Sequence, residues 1–113
     1  MRILLTALAV LAIACRQTTA PPAPLVVTLE ANTAVAQPGD TVTFTVNATA
    51  NNLFGVVIDF GDSTGDQYST GGASTARVTF KHAYTLSGTY VVRATVSDAI
   101  AGDKEASVTI GVN

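Results

Sequence analysis

The chain has 113 residues, with six lysines and arginines against eight aspartates and glutamates and a formal net charge of −2. This length suits a single domain with a short extension. The basic residues are scattered and form no stripe with aromatic side chains, so the composition argues against nucleic acid as a partner.

The N-terminal segment has the pattern of an export signal. Arg2 is followed by an apolar run at residues 3–14, which is shorter than the roughly 18 residues needed to cross a bilayer. The small residues Ala12 and Ala14 are typical of a cleavage site. We therefore predict that residues 1–14 are a signal peptide that is removed before Cys15.

Cys15 is the only cysteine, and two outcomes are open for it. Simple cleavage would give a secreted or periplasmic soluble protein with a reactive free thiol, which an oxidising compartment disfavours. The sequence Leu-Ala-Ile-Ala-Cys at residues 11–15 resembles a bacterial lipobox, although Ala12 stands where the motif prefers Leu. The resemblance implies diacylglycerol on Cys15 and, because Arg16 rather than Asp follows, an outer-membrane lipoprotein anchored in the cell envelope.

Residues 15–24 are predicted to be a tether between the lipid and the domain. Loss of Arg2 with the signal peptide would leave five basic residues against eight acidic ones, a net charge of −3. The three prolines at positions 21, 22 and 24 favour an extended chain, which would hold the domain on the order of 25 Å from the membrane.

The remainder, residues 25–113, alternates between apolar and polar side chains and lacks helix signals. Strands are predicted at residues 25–31, 42–48, 54–60, 73–80, 90–97 and 106–112. Turn residues separate them, among them Asn51-Asn52 and the stretch 61–72. Short strands at this spacing predict an all-β fold, a β-sandwich.

Three separated motifs resemble the PKD domain, an immunoglobulin-like β-sandwich named after the polycystic kidney disease protein. They are Gly-Val-Val-Ile-Asp-Phe-Gly-Asp at residues 55–62, Phe-Lys-His-Ala-Tyr at 80–84, and residues 88–98. The resemblance covers residues 25–113 and implies about seven antiparallel strands. Two residues depart from the family pattern, Ile58 in place of Trp and Ser63 in place of Gly. The signature residues are Asp59, Phe60, Gly61, Asp62, Tyr84, Gly88 and Tyr90.

Asp59 and Asp62 flank a predicted tight turn, where carboxylates accept backbone N–H bonds. This structural role is the favoured interpretation. In the alternative, Asp59 and Asp62 join Asp98 or Asp66 as oxygen ligands of Ca²⁺, but two carboxylates three residues apart are fewer than a dedicated calcium loop supplies. No other cofactor is expected.

The remaining polar and aromatic candidates are also interpreted structurally. Tyr84 and Tyr90 are predicted to anchor a sandwich corner, and His82 to be a packed, hydrogen-bonded imidazole. Gly61 to Gly65 match the G-x-S-x-G motif of hydrolases around Ser63, but polar, glycine-rich residues follow where that motif needs a helix. We therefore expect no enzyme activity.

The sequence thus predicts a non-catalytic, anchored interaction domain for a protein or glycan partner, whose identity it does not give. Leu53-Phe54 and Tyr68 are candidate contact sites beside predicted loops, and either could equally be ordinary core or rim. A structural accessory that docks onto a larger envelope or secreted-enzyme assembly is the alternative, with residues 106–112 as a possible edge strand for pairing. Glycan binding is the weaker option, because the chain has no Trp and three Tyr.

Overall fold

The computed structural model describes residues 21–113. The predicted signal peptide, Cys15 and the start of the tether lie outside the described residues. The described residues form the strands β1 (Val26–Ala31), β2 (Val35–Ala36), β3 (Thr41–Asp59), β4 (Gly65–Ala83), β5 (Gly88–Asp98) and β6 (Gly102–Val112). Within residues 21–113, no helix is suited to crossing a membrane.

The two longest strands, β3 and β4, each run through both layers of the fold. The first half of β3, as far as Thr49, pairs with β1 and with the second half of β4. After register shifts between Thr49 and Gly55, the second half pairs with β5 and with the first half of β4. β6 extends the second layer beside β5.

β1 and β6 contact each other without pairing, because the two layers pack face to face. The predicted all-β, immunoglobulin-like sandwich is therefore confirmed. The strand details differ, since there are six continuous strands rather than about seven, and β2 pairs with β6 in parallel rather than antiparallel.

The core consists of the apolar residues that alternate along each strand. In β3 the buried side chains alternate with threonines and Asn47 that face outward. The largest fully buried side chains are Tyr84, Phe44, Leu53, Ile58, Ile110, Val42, Val46, Val56, Val92 and Val96. Burial of one such aliphatic side chain contributes roughly 1.5–3 kcal/mol, so these rows supply much of the stability of the domain.

Two predicted turns are wrong. Asn51 and Asn52 lie inside β3, at the register shift that carries the strand from one layer to the other. The predicted loop at residues 61–72 is mostly strand, since β4 begins at Gly65. Backbone pairing with β3 forms this first half of β4, which has no buried apolar row for a sequence pattern to reveal.

Candidate functional site

The turn between β3 and β4 contains the signature carboxylates, and both bind the turn itself. The Asp59 carboxylate accepts a 2.8 Å hydrogen bond from the N–H of Gly61. Asp62 accepts a hydrogen bond from the N–H of Thr64 at 3.2 Å and another from the Thr64 hydroxyl. The N–H of Phe60 donates to the carbonyl oxygen of Thr64 at 3.0 Å, which closes the turn.

This turn requires two residues with left-handed backbone conformations. Gly61 has φ +84°, and a Cβ at this position would lie 2.6 Å from the carbonyl oxygen of Val91, so no other residue fits. Ser63 has φ +74° and is the only non-glycine residue with positive φ in the described range. The turn thus keeps, at Ser63, a conformation that glycine adopts more easily.

His82 ties the turn to the end of β4. Its Nε2 lies 2.7 Å from Oδ2 of Asp62, and its ring stacks on Phe60 at a centroid distance of 4.1 Å. Partial burial tends to raise the pKa of the Asp62 carboxyl, but hydrogen bonds from Thr64 and His82 outweigh it and hold the pKa below its usual value. The imidazole is therefore part of the packing that orders the turn.

Tyr84 and Tyr90 continue the aromatic packing toward β5. The Tyr84 hydroxyl donates a 2.8 Å hydrogen bond to the carbonyl oxygen of Phe60, and the two tyrosine rings stack at 4.3 Å. The Tyr90 hydroxyl donates to the carbonyl oxygen of Leu86 at 2.7 Å. Burial, with the nearby charge of Asp62, raises the pKa of Tyr84 to about 12, so the phenol stays a donor at neutral pH.

Asp98 lies at the other end of the sandwich, where β5 pairs with β3 at Leu53 rather than at Asp59. Its Oδ1 accepts the N–H groups of Asn51 and Asn52, and its Oδ2 those of Ile100 and Ala101. Burial opposes ionisation, but these four donors lower the pKa of Asp98 to about 2. Sequence reasoning missed this role, because two of the four donors, Asn51 and Asn52, belong to β3 and lie 47 and 46 residues earlier in the chain.

The three carboxylates suggested as calcium ligands are therefore not brought together. Asp59 and Asp62 share one turn, whereas Asp98 lies at the opposite end, bound to N–H groups of β3 and of the turn that follows β5. Asp66, the fourth candidate, accepts a 2.8 Å hydrogen bond from the N–H of Gln67. Residues 21–113 contain no group of three or more His, Cys, Asp or Glu side chains arranged to hold a metal ion.

The geometry around Ser63 differs from that of a nucleophile elbow. β4 begins two residues later at Gly65, in place of the helix that presents the serine in hydrolases. Asp62 and Thr64 both approach the same His82 nitrogen, Nε2, at 2.7 and 3.4 Å. A catalytic triad uses both ring nitrogens, one for the carboxylate and one for the nucleophile.

The surface candidates separate into core and contact residues. Leu53 is fully buried beside the β3 register shift, so of its two interpretations the contact role is wrong and the core role is correct. Phe54, Val57 and Tyr68 are 53%, 53% and 57% exposed. With Gly55, Gln67 and Ser69 they line a shallow groove of about 370 Å³, named here the Phe54–Tyr68 groove. Sequence reasoning does not single out Val57, because it lies between two other apolar residues, Val56 and Ile58, and the sequence does not show that it alone faces outward.

The two-layer sandwich, with its β3–β4 turn pinned by Asp59, Asp62 and Tyr84, defines an immunoglobulin-like domain. The chain belongs to the PKD domain family, whose model matches residues 21–112. The family is a non-catalytic module, typically extracellular or exported. A search of curated proteins finds no match.

Solved structures agree with this assignment. The chain is similar to the PKD domain of an M14-like peptidase from a Thermoplasmatales archaeon, with 25% identity, a TM-score of 0.63, and coverage of 84% of this chain and 98% of that one. It is similar in fold to the PKD domain of the human VPS10 domain-containing receptor SorCS2, at 24% identity, TM-score 0.58 and coverage of 86% and 80%. A CARDB domain from Pyrococcus furiosus, solved with di-metal ions, shares the fold at 18% identity, TM-score 0.63 and coverage of 84% and 97%.

Proposed function

We propose that this protein is a non-catalytic lipoprotein of the cell envelope, anchored through Cys15, whose PKD domain binds a partner protein or glycan through the Phe54–Tyr68 groove. The observation that carries the proposal is that Phe54, Val57 and Tyr68, each more than half exposed, all line one groove along the paired segments of β3 and β4. Clustered exposed apolar residues are typical of interaction sites, whereas scattered single ones are ordinary.

The shape of the groove favours a protein over a glycan. Tyr68 and Phe54 are its two aromatic side chains, and the groove is open and shallow rather than a deep pocket. Extended binding of sugars usually needs a row of exposed aromatic faces, which two rings scarcely provide. A protein partner buries the same side chains without that requirement.

Photo-crosslinking in the native cells tests the contact. A photoreactive amino acid at Phe54 or Tyr68 should give a discrete adduct with one partner. The matched control is Leu86, which is 71% exposed and lies outside the groove. Adducts of equal yield and identity from Leu86 would contradict a specific role for the groove.

The anchor needs a separate measurement. Inhibition of the lipoprotein signal peptidase should leave a larger, uncleaved precursor, and Cys15→Ser should abolish labelling by a radioactive fatty acid. An unchanged size under inhibition, together with no label on the natural protein, would favour simple secretion instead.

A further inference from the structure

The first half of β4, Gly65 to Ser69, has one side without a partner strand among the described residues, since β4 pairs only with β3. Backbone groups of an antiparallel strand alternate between its two sides. The bond from Phe60 N–H to the Thr64 carbonyl sets this alternation, so that Thr64, Asp66 and Tyr68 direct their backbone groups toward β3. Gly65, Gln67 and Ser69 therefore direct theirs toward the open side.

The hydrogen bond of Gln67 agrees with this assignment. Its N–H donates to the carboxylate of Asp66, its own neighbour, at 2.8 Å rather than to β3. The middle donor of the open edge is thus occupied by a side chain that can move aside. The Asp66 carboxylate therefore blocks the N–H of Gln67, the donor that an added strand would need.

The β6 edge carries more protection. β6 has Asp103, Lys104 and Glu105 near its start, and β2 covers its end at Gly111 and Val112. Charged side chains and prolines are the usual means by which proteins keep sheet edges from pairing. Residues 63–76, in contrast, contain no proline and only one charged residue, Asp66. The predicted pairing edge at residues 106–112 is therefore a poorer candidate than the first half of β4.

We propose that the edge at Gly65, Gln67 and Ser69 binds an extended segment of a partner protein by strand addition, with a Lys or Arg of that segment beside Asp66. A cation there attracts the carboxylate and releases the N–H of Gln67 for the new ladder. Asp66 and Tyr68 lie two residues apart on one face, so an apolar side chain two positions along the segment packs on Tyr68. This inference rests on the proposed function and specifies how its groove is used.

A second copy of this chain is a poorer occupant than such a segment. The same edge of another copy supplies no Lys or Arg, because residues 63–76 contain none. Two-fold pairing centred on Gln67 would place Asp66 opposite Tyr68 of the other copy, and pairing centred on Asp66 would place two carboxylates opposite each other. Neither arrangement provides the cation that frees the Gln67 donor.

The test uses the full chain carrying Cys15→Ser, so that its result does not depend on lipid attachment. The probe is the blocked peptide Thr-Val-Thr-Lys-Thr-Val-Thr, and its matched control has Glu in place of Lys. Amide NMR shifts should change for Gly65 to Ser69, with slower hydrogen exchange at Gln67. The Glu peptide should bind more weakly, because its carboxylate would face Asp66.

Two variants assign the effect to this edge. Asp66→Asn should weaken binding of the Lys peptide by roughly two- to fivefold, the range of an exposed ion pair. Asp103→Asn, a matched charge removal on the β6 edge, should leave binding unchanged. Gln67→Pro removes the central donor and should abolish binding, and its fold is verified from the NMR spectrum.

Equal binding of both peptides, shift changes confined to β6, or dimerisation without peptide in sedimentation experiments would each overturn the inference. If the peptide fails while photo-crosslinking from Tyr68 still captures a partner, strand addition is wrong and the proposed function stands. If crosslinking fails and the peptide binds as described, the edge is competent but the cellular role is wrong.

Discussion

The hydroxyl of Tyr84 donates a 2.8 Å hydrogen bond to the carbonyl oxygen of Phe60, which lies 24 residues earlier in the chain. Tyr84 is 1% exposed and Phe60 is 3% exposed, so water cannot replace this bond. The bond connects the β3–β4 turn to the segment that precedes β5. It makes the position of the turn depend on the core rather than on local residues alone.

Tyr84→Phe should therefore destabilise the domain by about 1–3 kcal/mol, because the buried Phe60 carbonyl would lose its donor. Urea denaturation followed by circular dichroism measures the change. Tyr90→Phe is the matched control, since its hydroxyl bonds to the exposed Leu86 carbonyl, where water can substitute. Equal losses of unfolding free energy in the two variants would show that the buried bond to Phe60 stabilises the domain no more than the exposed bond to Leu86.

Asp98→Asn tests the cap at the other end of the sandwich. The carboxylate supplies two acceptor oxygens for four N–H donors, whereas Asn has one oxygen and would direct its NH₂ group at two of those donors. We expect a clear fall in the urea midpoint. Asp103→Asn, an exposed carboxylate on β6, should change it little.

The pH dependence of stability should identify the same group. The pKa of Asp98 is about 2 in the folded protein against an ordinary value of 3.8, so its contribution is complete above 3.8 and is lost as the pH falls toward 2. The natural protein should lose stability steeply across this interval, and Asp98→Asn should lose less. Parallel curves for the two proteins would exclude Asp98 as the source.

Alternation of apolar and polar residues suffices to predict the parts of the fold that are half buried. Residues 42–48 and 90–97 follow the pattern because one face of each strand meets the core. The pattern fails at Asn51 and Asn52, where β3 bends between layers, and at residues 65–69, where pairing with β3 forms the strand. A strand that is held by backbone pairing alone needs no alternation of apolar and polar side chains, so the sequence pattern does not predict it.

The candidate site shows the same division. Tyr84 and the Asp59 turn were accessible to sequence reasoning, because their bonds involve a corner or residues two positions away. Whether Leu53 or Phe54 faces solvent depends on a register shift. The role of Asp98 depends on the bend of β3 meeting the turn after β5. These features depend on how distant segments pack in the folded domain, so they cannot be predicted from a local sequence pattern.

His82→Phe tests the link between β4 and the turn. Phenylalanine keeps an aromatic ring to stack on Phe60 but removes the 2.7 Å contact with Asp62. The pKa of Asp62 should rise toward its ordinary value, because one of the interactions that lowers it is lost. NMR titration of the Asp62 carboxyl measures the change, with Lys81→Ala, a neighbouring exposed position, as the control.

The same variant should alter acid stability in a defined direction. A carboxyl whose pKa is lowered by folding contributes stability above its ordinary value of 3.8, and that contribution fades as the pH falls through the folded value. His82→Phe should therefore be less stable than the natural protein at pH 6 and approach it at pH 2. A constant difference at all pH values would attribute the loss to packing alone.

Ser63→Gly should stabilise the domain. Ser63 has φ +74°, a left-handed conformation that costs a non-glycine residue roughly 1–2 kcal/mol, while glycine adds about 0.5–1 kcal/mol of chain entropy to the unfolded state. The balance favours glycine by about 0.5–1 kcal/mol, which a higher urea midpoint would record. Ser63→Ala is the matched control and should be near neutral, because alanine keeps the Cβ. A gain from alanine equal to that from glycine would attribute the effect to the lost hydroxyl instead of the backbone.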